Sequence, residues 1–507
     1  MATPSDKLAD SLAALKALQD QNRVAIRARH LTRTHRERLL RNGFIKEVMK
    51  GWYISARPDE PEGESTAWYA SFWSFSADYL EERFGDQWCL SPEQSINIHT
   101  ESRGVPTQLL VRSPKGGNKP TPLLHNTSIF DVRLELPDKQ DMEIMGGLRI
   151  MTLSASLIAC SEAQFVSNPI EMRAALSMVS DASDILRKLL SGGHSKVAGR
   201  LAGAFRNIGK GTIADQIAGT MKSAGYNVSE ADPFTASSPV LFSGREQSPC
   251  VNRIRLMWNA MRPVVIEHFP PPPAHPLEPE AYLKQVADIY VTDAYHSLSI
   301  EGYRVSPDLI DRVRTGDWNP GTNQGDAEHY NALAARGYWL AHEEVKKSIR
   351  RILSGGNAGR VAETDLNTWY RELFAPSVTA GIMQPGELAG YRNQPVYIRH
   401  SMHTPPNAAA LRDAMPSFFE LLAEEEEARV RAVLGHFIFV YIHPFMDGNG
   451  RIGRFLMNAM LASGGHPWTV ITLEQRSAYM AALEQASVHQ NIEPFTRLIA
   501  GSMGKTH

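Results

Sequence analysis

Apolar residues recur at helical spacing in the C-terminal half of the chain. One stripe runs through Val430, Val433, Leu434, Phe437 and Ile438, and a second runs through Ile452, Phe455, Leu456 and Ala459. Positions at i, i+3, i+4 and i+7 lie on one face of an α-helix. The four glutamates at 424–427 precede the first stripe and predict the solvated start of its helix. The pattern therefore predicts a mainly α-helical domain.

The first sixty residues combine helical and strand patterns. Residues 5–20 place leucines at helical spacing, and residues 32–42 predict a second helix that Thr32 caps and Gly43 ends. Residues 48–54 are strand-like, with Gly51 at the bend of a short hairpin. A helix, a tight turn and a hairpin in this order predict a winged helix.

The region that follows alternates between the two patterns. Residues 68–84 predict an aromatic-rich helix, 108–111 and 129–136 predict strands, and 169–222 predict several helices. No cluster of reactive side chains stands out in this region. We therefore expect an α+β fold for the N-terminal part of the chain, in which the middle region has no assigned chemistry.

A proline-rich stretch suggests how these regions are joined. Residues 269–276 read Phe-Pro-Pro-Pro-Pro-Ala-His-Pro, and stiff segments of this kind often act as spacers. A chain of 507 residues has room for about three domains. We predict a winged-helix-like basic domain at 1–60, a middle region at 61–265, a linker at 266–280 and a C-terminal domain at 281–503.

The net charge of −2 conceals a strong local asymmetry. Residues 23–50 hold nine basic residues against two acidic ones, a local charge of +7 that leaves −9 for the rest of the chain. An arginine-rich helix in a winged helix can contact DNA phosphates and reach into the major groove. A solvated basic face without a ligand explains the same cluster, and the sequence leaves both interpretations open.

The cysteines and the terminal segments indicate the compartment. Cys89, Cys160 and Cys250 lie far apart and form neither a disulfide framework nor a zinc motif. The N-terminus lacks a basic stretch followed by an apolar run, and the apolar segment 434–442 is too short to cross a bilayer. We expect a cytoplasmic protein that does not interact with a membrane.

The densest set of reactive groups lies at 443–454, which reads His-Pro-Phe-Met-Asp-Gly-Asn-Gly-Arg-Ile-Gly-Arg. Gly448 and Gly450, on either side of Asn449, let the backbone turn its N–H groups toward one point at a helix start, which favours a phosphate. Arg451 and Arg454 stand three residues apart, so their guanidinium groups share one helix face and can hold outer phosphates.

Two further residues in this segment complete a transfer site. A lone carboxylate beside phosphates commonly holds Mg²⁺, which makes Asp447 the candidate metal ligand. His443 is the titratable base nearest neutral pH and can remove a proton from an attacking hydroxyl. The adjacent Phe445 is expected to point into the core and fix the loop. These groups predict phosphoryl or nucleotidyl transfer that depends on positioning and charge stabilisation.

Two glycine patterns suggest nucleotide folds that other features exclude. Residues 448–453 also satisfy the G-x-G-x-x-G dinucleotide pattern, but the preceding segment has helical periodicity and Pro444 intervenes. Gly-Lys-Gly-Thr at 209–212 lacks the spacing of a phosphate-binding P-loop. We interpret this second segment as a turn between helices.

Segment 443–454 matches the H-P-F-x-[D/E]-G-N-G-R-x-x-R signature of the Fic family, so residues 280–500 resemble that family. Residues 385–398 look like its β-hairpin flap over the substrate, and 476–483 look like its closing helix. The resemblance implies transfer of AMP from ATP to a Ser, Thr or Tyr hydroxyl of a target protein. It assigns His443 as the base, Asp447 as the metal ligand, Asn449 with the glycine amides as an anion hole, and Arg451 and Arg454 as phosphate clamps.

An upstream segment resembles the inhibitory motif of the same family. Ser297 to Gly302 fits the pattern [S/T]-x-x-x-E-[G/N], and Glu301 would pair with Arg454 and remove the clamp needed by the γ-phosphate. A helix end with a glycine stop is the alternative interpretation. In some relatives the equivalent glutamate also assists removal of AMP, so the reverse reaction stays open.

The two ends of the chain favour two functions. The C-terminal motifs imply a self-inhibited protein adenylyltransferase that uses ATP and Mg²⁺. The N-terminal sixty residues resemble winged-helix antitoxin regulators of the AbiEi type, which favours a DNA-binding regulator with an associated Fic domain. One chain can combine both functions.

Overall fold

The computed structural model describes residues 3–21, 23–58, 65–238, 240, 242, 248–316 and 329–503. The chain divides into two compact units. The first comprises residues 1–249 together with 397–404, and the second comprises 250–396 and 405–507. The predicted boundary between residues 60 and 61 lies outside the described residues.

The N-terminal part of the first unit is a small helix and sheet assembly. Its elements are α1 (Pro4–Gln19), β1 (Ile26–Arg27), a helical turn (Ala28–His30), α2 (Arg33–Arg41), β2 (Ile45–Met49) and β3 (Trp52–Ser55). The antiparallel sheet has the order β1-β3-β2. The hydroxyl of Thr32 accepts a hydrogen bond from the His35 N–H and so caps α2, as the sequence predicts. The winged-helix assignment stays a prediction that this element order suits.

The rest of the first unit combines a sheet with a helical layer. It contains α3 (Thr66–Phe84), β4 (Cys89–Leu90), α4 (Pro92–His99), β5 (Gln108–Ser113), β6 (Lys119–Pro122), β7 (Ser128–Arg133), β8 (Met142–Met145) and β9 (Leu148–Met151). The four-stranded sheet has the order β4-β5-β7-β6, and β5 runs parallel to β7 with Gln108 opposite Ser128. The predicted strands at 108–111 and 129–136 correspond to this central pair.

Six helices follow this sheet in the first unit. They are α5 (Leu153–Ala159), α6 (Glu162–Ser167), α7 (Pro169–Ser177), α8 (Ser183–Gly192), α9 (Ser195–Asn207) and α10 (Gly211–Ser223). Residues 208–210 form the turn between α9 and α10, as predicted. The Lys210 ammonium donates to the carbonyls of Ser177 and Val179, both at 2.6 Å, so it connects this turn to the C-terminal end of α7.

The second unit contains helices and no strands among its described residues. Its elements are α11 (Pro249–His268), α12 (Pro279–Asp288), α13 (Tyr290–Ile300), α14 (Pro307–Thr315), α15 (His329–Leu353), α16 (Ala358–Thr379), α17 (Leu411–Glu424), α18 (Ala428–Ile442), α19 (Asn449–Ala462), α20 (Arg476–His489) and α21 (Glu493–Ser502). The two predicted apolar stripes lie on α18 and α19 and are completely buried. None of the described helices combines the length and the apolar character needed to cross a membrane.

The proline-rich segment lies inside the second unit, so the predicted linker at 266–280 does not separate the units. Phe269 is buried and packs edge-on against His466, with ring centroids 5.5 Å apart. The Arg429 guanidinium donates to the carbonyls of Ile266 and Phe269, both at 3.1 Å. These contacts attach the proline segment to the helices around it, which a spacer would not require.

The predicted β-hairpin flap at 385–398 is wrong, because this segment contains no strand. A short helical turn at Pro385–Leu388 is followed by irregular backbone. Its main contact is made by Arg392, whose N–H donates to the Pro444 carbonyl at 2.8 Å and whose guanidinium donates to further carbonyls. An arginine therefore provides the hydrogen bonds that a cross-strand ladder would have provided.

The glutamates at 424–427 do not form the solvated start of a helix. Glu424 ends α17, and Glu427 precedes α18. The side chain of Glu425 is buried and accepts hydrogen bonds from the Arg262 guanidinium at 2.8 and 3.0 Å. Hydrogen bonds from Arg262 keep the pKa of Glu425 below its usual value, although burial alone would raise it.

Candidate functional site

The loop between α18 and α19 is shaped by two residues with positive φ. His443 ends α18 with φ 52°, and Gly448 precedes α19 with φ 81°. The Asn449 side chain closes the loop, since its Oδ1 accepts from the Phe445 N–H at 2.9 Å and its Nδ2 donates to the Phe445 carbonyl at 2.8 Å. Phe445 is fully buried, as expected, and stacks on Tyr370 with centroids 3.8 Å apart.

These contacts change the expected role of Asn449. The resemblance places its side chain in an anion hole, but both ends of the amide bind the backbone of Phe445. The side chain therefore holds the loop in shape. The N–H groups at the start of α19, which have no acceptor within the helix, are the groups left for an anion.

His443 is held as a neutral imidazole. Its Nδ1 lies 3.3 Å from the Val440 carbonyl, and because a carbonyl only accepts, Nδ1 carries the proton and Nε2 is the acceptor. Burial lowers the pKa of His443 to about 4, and the charge of Arg392 acts in the same direction. A neutral Nε2 at pH 7 is the form that can accept a proton from a hydroxyl.

Arg392 fixes the backbone around His443. This buried side chain donates to the carbonyl of His443 at 2.8 Å, of Gln394 at 3.1 Å and of Pro406. Burial lowers the pKa of Arg392 to about 10, so the guanidinium stays charged at neutral pH. The sequence placed Arg392 only in the flap, and no spacing pattern indicated its link to His443.

Arg451 occupies a nearly closed aromatic environment. Its side chain is 1% exposed, and its guanidinium lies over the rings of Tyr303 and Phe374, at 5.1 and 5.0 Å from their centroids. Nη2 donates to Asp447 at 3.1 Å. The buried Nε has no hydrogen-bond partner among the described residues, so one donor is left for an incoming acceptor.

Asp447 is the exposed carboxylate of the loop, with 60% of its side chain accessible. Its two oxygens accept from the Gly448 N–H at 2.6 Å and from Arg451. In the described part of the chain, no group of three or more His, Cys, Asp or Glu side chains is placed to hold a metal. A single accessible carboxylate fits Mg²⁺, because this ion keeps several waters and takes other oxygens from phosphates.

Arg454 forms hydrogen bonds with the segment 297–302, as the sequence predicts. Its Nε donates to the Ser297 hydroxyl at 2.9 Å, and its Nη2 donates to the Ser297 carbonyl at 3.0 Å and to the Glu301 carboxylate at 2.7 Å. Burial would lower the pKa of Arg454, but the Glu301 charge raises it above its ordinary value. The remaining Nη1 is buried and has no hydrogen-bond partner within the described residues.

Gly450 makes the approach of Glu301 possible. A Cβ built on Gly450 would lie 2.3 Å from Glu301 Oε1 and 3.2 Å from Arg454 Nη1. The carboxylate therefore lies against the first turn of α19, where the helix dipole favours a negative charge. This position is also the one in which the sequence analysis places a phosphate.

Helix α13 carries further contacts that the sequence analysis missed. Asp293 is buried and accepts a 2.7 Å hydrogen bond from the Tyr338 hydroxyl, and burial raises the pKa of this carboxyl. Arg476 at the start of α20 donates to the Ile300 carbonyl at 2.8 Å and so caps the end of α13. The i, i+4, i+8 spacing of Asp293, Ser297 and Glu301 was a signal for one polar helix face.

The structure thus gathers most of the predicted residues. Gly448, Asn449, Gly450, Arg451 and Arg454 surround the start of α19, Asp447 is bound to Arg451, and Ser297 and Glu301 contact Arg454. His443 lies at the other end of the same loop. Tyr303 and Phe374, whose rings cover Arg451, lie outside the predicted motifs.

The region that contains the 443–448 loop is similar to known proteins. Residues 360–461 match the model of the Fic/DOC family. A protein adenylyltransferase Fic from Nematostella vectensis is 38% identical over 228 residues, which cover 44% of this chain and 49% of that protein. The Drosophila virilis protein of the same name is 38% identical over 223 residues, 43% of this chain and 42% of that protein.

The chain spans about half the length of the curated relatives it matches. A solved structure of Fic-1 from C. elegans aligns with a TM-score of 0.37 and 17% identity over 68% of this chain and 94% of that chain. The matched residues include most of α16, all of α17 and α18, the loop that follows α18 and most of α19. Residues 360–461 are therefore the part of the chain that is similar to the Fic/DOC family.

Proposed function

We propose that this protein is a self-inhibited protein adenylyltransferase, which transfers AMP from ATP to a Ser, Thr or Tyr hydroxyl of a target protein. The observation that carries the proposal is a pair of buried guanidinium N–H groups at the start of α19, Nε of Arg451 and Nη1 of Arg454, which have no hydrogen-bond partner in the described part of the chain. A buried donor without an acceptor destabilises the folded protein. Phosphate oxygens are acceptors that suit guanidinium N–H donors. The names of the relatives at 38% identity support the same activity.

The proposed reaction uses the neutral imidazole of His443. Nε2 accepts the proton of the target hydroxyl while the hydroxyl oxygen attacks the α-phosphorus of ATP. A new P–O bond to the target forms, the bond between the α- and β-phosphates breaks, and pyrophosphate leaves with the electron pair. The guanidinium groups of Arg451 and Arg454 stabilise the charge that develops on the phosphates.

Asp447 is the residue that would hold Mg²⁺ at this site. The ion, when bound, supplies positive charge to the phosphate oxygens. The accessible carboxylate, adjacent to the N–H groups of α19, has the hard oxygen donors that this ion prefers. The Asp447 to Arg451 ion pair at 3.1 Å keeps the carboxylate on the phosphate side of the helix start.

Self-inhibition in this proposal follows from the position of Glu301. Glu301 Oε1 accepts a hydrogen bond from Arg454 Nη2 at 2.7 Å, and the carboxylate lies next to Gly450. A γ-phosphate at this position would therefore lack the Arg454 donor and would be repelled by the negative charge of Glu301. Displacement of Glu301 frees the guanidinium. Ser297 adds two further hydrogen bonds to Arg454 and belongs to the same inhibitory contact.

The proposal is tested by incubating the wild-type protein and the Glu301→Gly variant with ATP labelled at the α-phosphate in a cell lysate. We expect labelled protein bands with the variant and few with the wild type. ATP labelled at the γ-phosphate serves as the control and should leave the same bands unlabelled. Labelling from the γ-phosphate would show that the site transfers a phosphoryl group, and no labelling from either would refute the proposed transfer.

We propose DNA binding through residues 23–50 as a second function of the chain. Arg41 and Lys50 are exposed and make no ion pair within the described residues. Two other cations of this cluster form ion pairs with Glu82 Oε1: Arg27 Nε at 2.9 Å and Arg29 Nη2 at 3.1 Å. These ion pairs reduce the positive charge that is available to bind DNA phosphates. The free cations on α2 and at the hairpin bend support this second function.

DNA binding is tested by measuring the affinity for a duplex pool at several salt concentrations. The double variant Arg41→Ala, Lys50→Ala should bind DNA more weakly. The magnitude of its slope of log K against log salt concentration should be smaller by about one to two. Lys222→Ala, in the C-terminal turn of α10, is the matched control. A wild-type protein that does not bind at low salt would remove this function.

A further inference from the structure

Helix α16 places two aromatic side chains on the catalytic loop. Tyr370 stacks on Phe445 with an interplanar angle of 5°, and Phe374, four residues later, lies over the Arg451 guanidinium at 5.0 Å. Residues four apart share one face of a helix, so a single face of α16 supports both ends of the loop. Neither aromatic residue belongs to the 443–454 motif.

Phe374 touches the phosphate site at two points. A Cβ on Gly448 would lie 2.8 Å from its ring, so the ring packs directly on the residue that precedes α19. The same ring covers Arg451 one turn into the helix. Any movement of the ring therefore alters both the helix start and the guanidinium.

Arg451 depends on these rings because it has few other partners. Its ion pair with Asp447 joins a buried guanidinium to a carboxylate that is 60% exposed and therefore well screened by water. The rings of Phe374 and Tyr303 replace the water that the guanidinium lost on burial. Nε remains without a partner among the described residues.

We infer that Phe374 is a positioning residue, which holds the plane of the Arg451 guanidinium so that its free Nε–H meets a phosphate oxygen of ATP. This inference rests on the proposed function. A guanidinium that is already oriented loses little conformational freedom when the phosphate binds, which increases affinity. Tyr303 contributes the second ring and adds to the same effect.

The test compares variants of Phe374 in the Glu301→Gly background, in which the phosphate clamp is free. Phe374→Leu keeps an apolar side chain but removes the π face, whereas Phe374→Tyr keeps the face. The affinity for an ATP analogue with a non-cleavable bond between the α- and β-phosphates is measured by calorimetry. We expect about tenfold weaker binding for the leucine variant and near-parental binding for the tyrosine variant.

A double-mutant cycle separates positioning from general packing. If Phe374 acts through Arg451, the leucine substitution has no further effect on affinity in an Arg451→Ala background. Phe418→Leu, a buried phenylalanine that packs on Phe419 and Phe439, is the matched control and should leave affinity unchanged. Parental affinity of Phe374→Leu, or an equal loss in the Arg451→Ala background, would overturn the inference.

Two further measurements keep the outcomes distinct. Thermal melting reports whether each variant folds, and if Phe374→Leu does not fold, Tyr303→Leu on the second ring provides the same comparison. AMP transfer from labelled ATP is measured in parallel for the Glu301→Gly parent. No transfer by the parent refutes the proposed function, whereas transfer combined with an affinity that does not depend on the rings refutes only the role of Phe374.

Discussion

Glu301 Oε1 accepts a 2.7 Å hydrogen bond from Nη2 of Arg454, although the two residues lie 153 positions apart in the chain. The contact joins the end of α13 to the first turns of α19. A partly buried, charge-assisted hydrogen bond of this kind contributes about 1.5–3 kcal/mol. Arg454, the proposed phosphate clamp, is therefore paired with a carboxylate of the same chain.

Substitution of this glutamate should increase the proposed AMP transfer. Glu301→Gly removes the carboxylate from Arg454, and we expect AMP transfer to rise about 10- to 100-fold, in line with the energy of the lost bond. The rate is measured with labelled ATP. Glu301→Gln, which keeps a hydrogen-bonding group without charge, should give an intermediate rate, and Glu474→Gln, an exposed residue, should match the wild type. An unchanged rate for the glycine variant would contradict the inhibitory role.

Replacement of His443, the proposed base, should abolish AMP transfer and leave the affinity for ATP unchanged. His443→Ala in the Glu301→Gly background removes the proton acceptor, so we expect transfer to fall by at least about 100-fold. Calorimetry should show the same ATP affinity, because the phosphate-binding groups lie on α19. His489→Ala, at the exposed end of α20, is the control. Residual transfer near the parental rate would mean that another group accepts the proton.

The pH dependence of transfer should reflect the low pKa of His443. The base works in its neutral form, and its pKa of about 4 means that this form predominates at every pH above about 5. We therefore expect kcat/KM of the Glu301→Gly variant to lack an acid limb near pH 6.5 and to fall only as the pH approaches 4. Circular dichroism at each pH separates this fall from unfolding. A midpoint near 6.5 would show that the imidazole is solvated in the working enzyme.

Removal of Arg392 should destabilise the loop at His443. Arg392→Met leaves the carbonyls of Gln394, Pro406 and His443 without this donor, and we expect a loss of about 2–4 kcal/mol in the free energy of unfolding. Guanidinium chloride titration measures this change. Arg371→Met, an exposed residue of α16, should change stability by less than about 0.5 kcal/mol. Equal effects of the two substitutions would exclude a special role for Arg392.

Local signals in the sequence were sufficient to predict the helices on either side of the 443–448 loop. Period-3.6 stripes predicted α18 and α19, and the glycines on either side of Asn449 predicted a helix start shaped for an anion. The two helices and the helix start are confirmed because the interactions involved are short in range: backbone hydrogen bonds, positive φ at glycine, and one apolar face per helix. Anion binding at this helix start stays a prediction. The contact between Glu301 and Arg454 was also predicted, through a motif whose spacing follows one helix face, and its inhibitory role stays a proposal.

Long-range contacts could not be predicted in the same way. No periodicity connects Phe374 with Arg451, Arg392 with the His443 carbonyl, or Arg476 with the end of α13. The same limit explains why the predicted helix start at 424–427 and the predicted linker at 266–280 were wrong. Glu425 forms an ion pair with Arg262, and Arg429 binds the backbone beside the proline segment. In each case the deciding partner lies far away in sequence and is chosen by which buried groups need a donor or an acceptor.

The sequence by itself determined which chemical groups are present and on which helices they stand. Only the tertiary structure decided which of those groups are free. Burial sets the low pKa of His443, Glu301 and Ser297 occupy one arginine, and aromatic rings cover the other. The physical reason is that desolvation and charge pairing depend on neighbours from separate helices, and these neighbours meet only when the chain has folded.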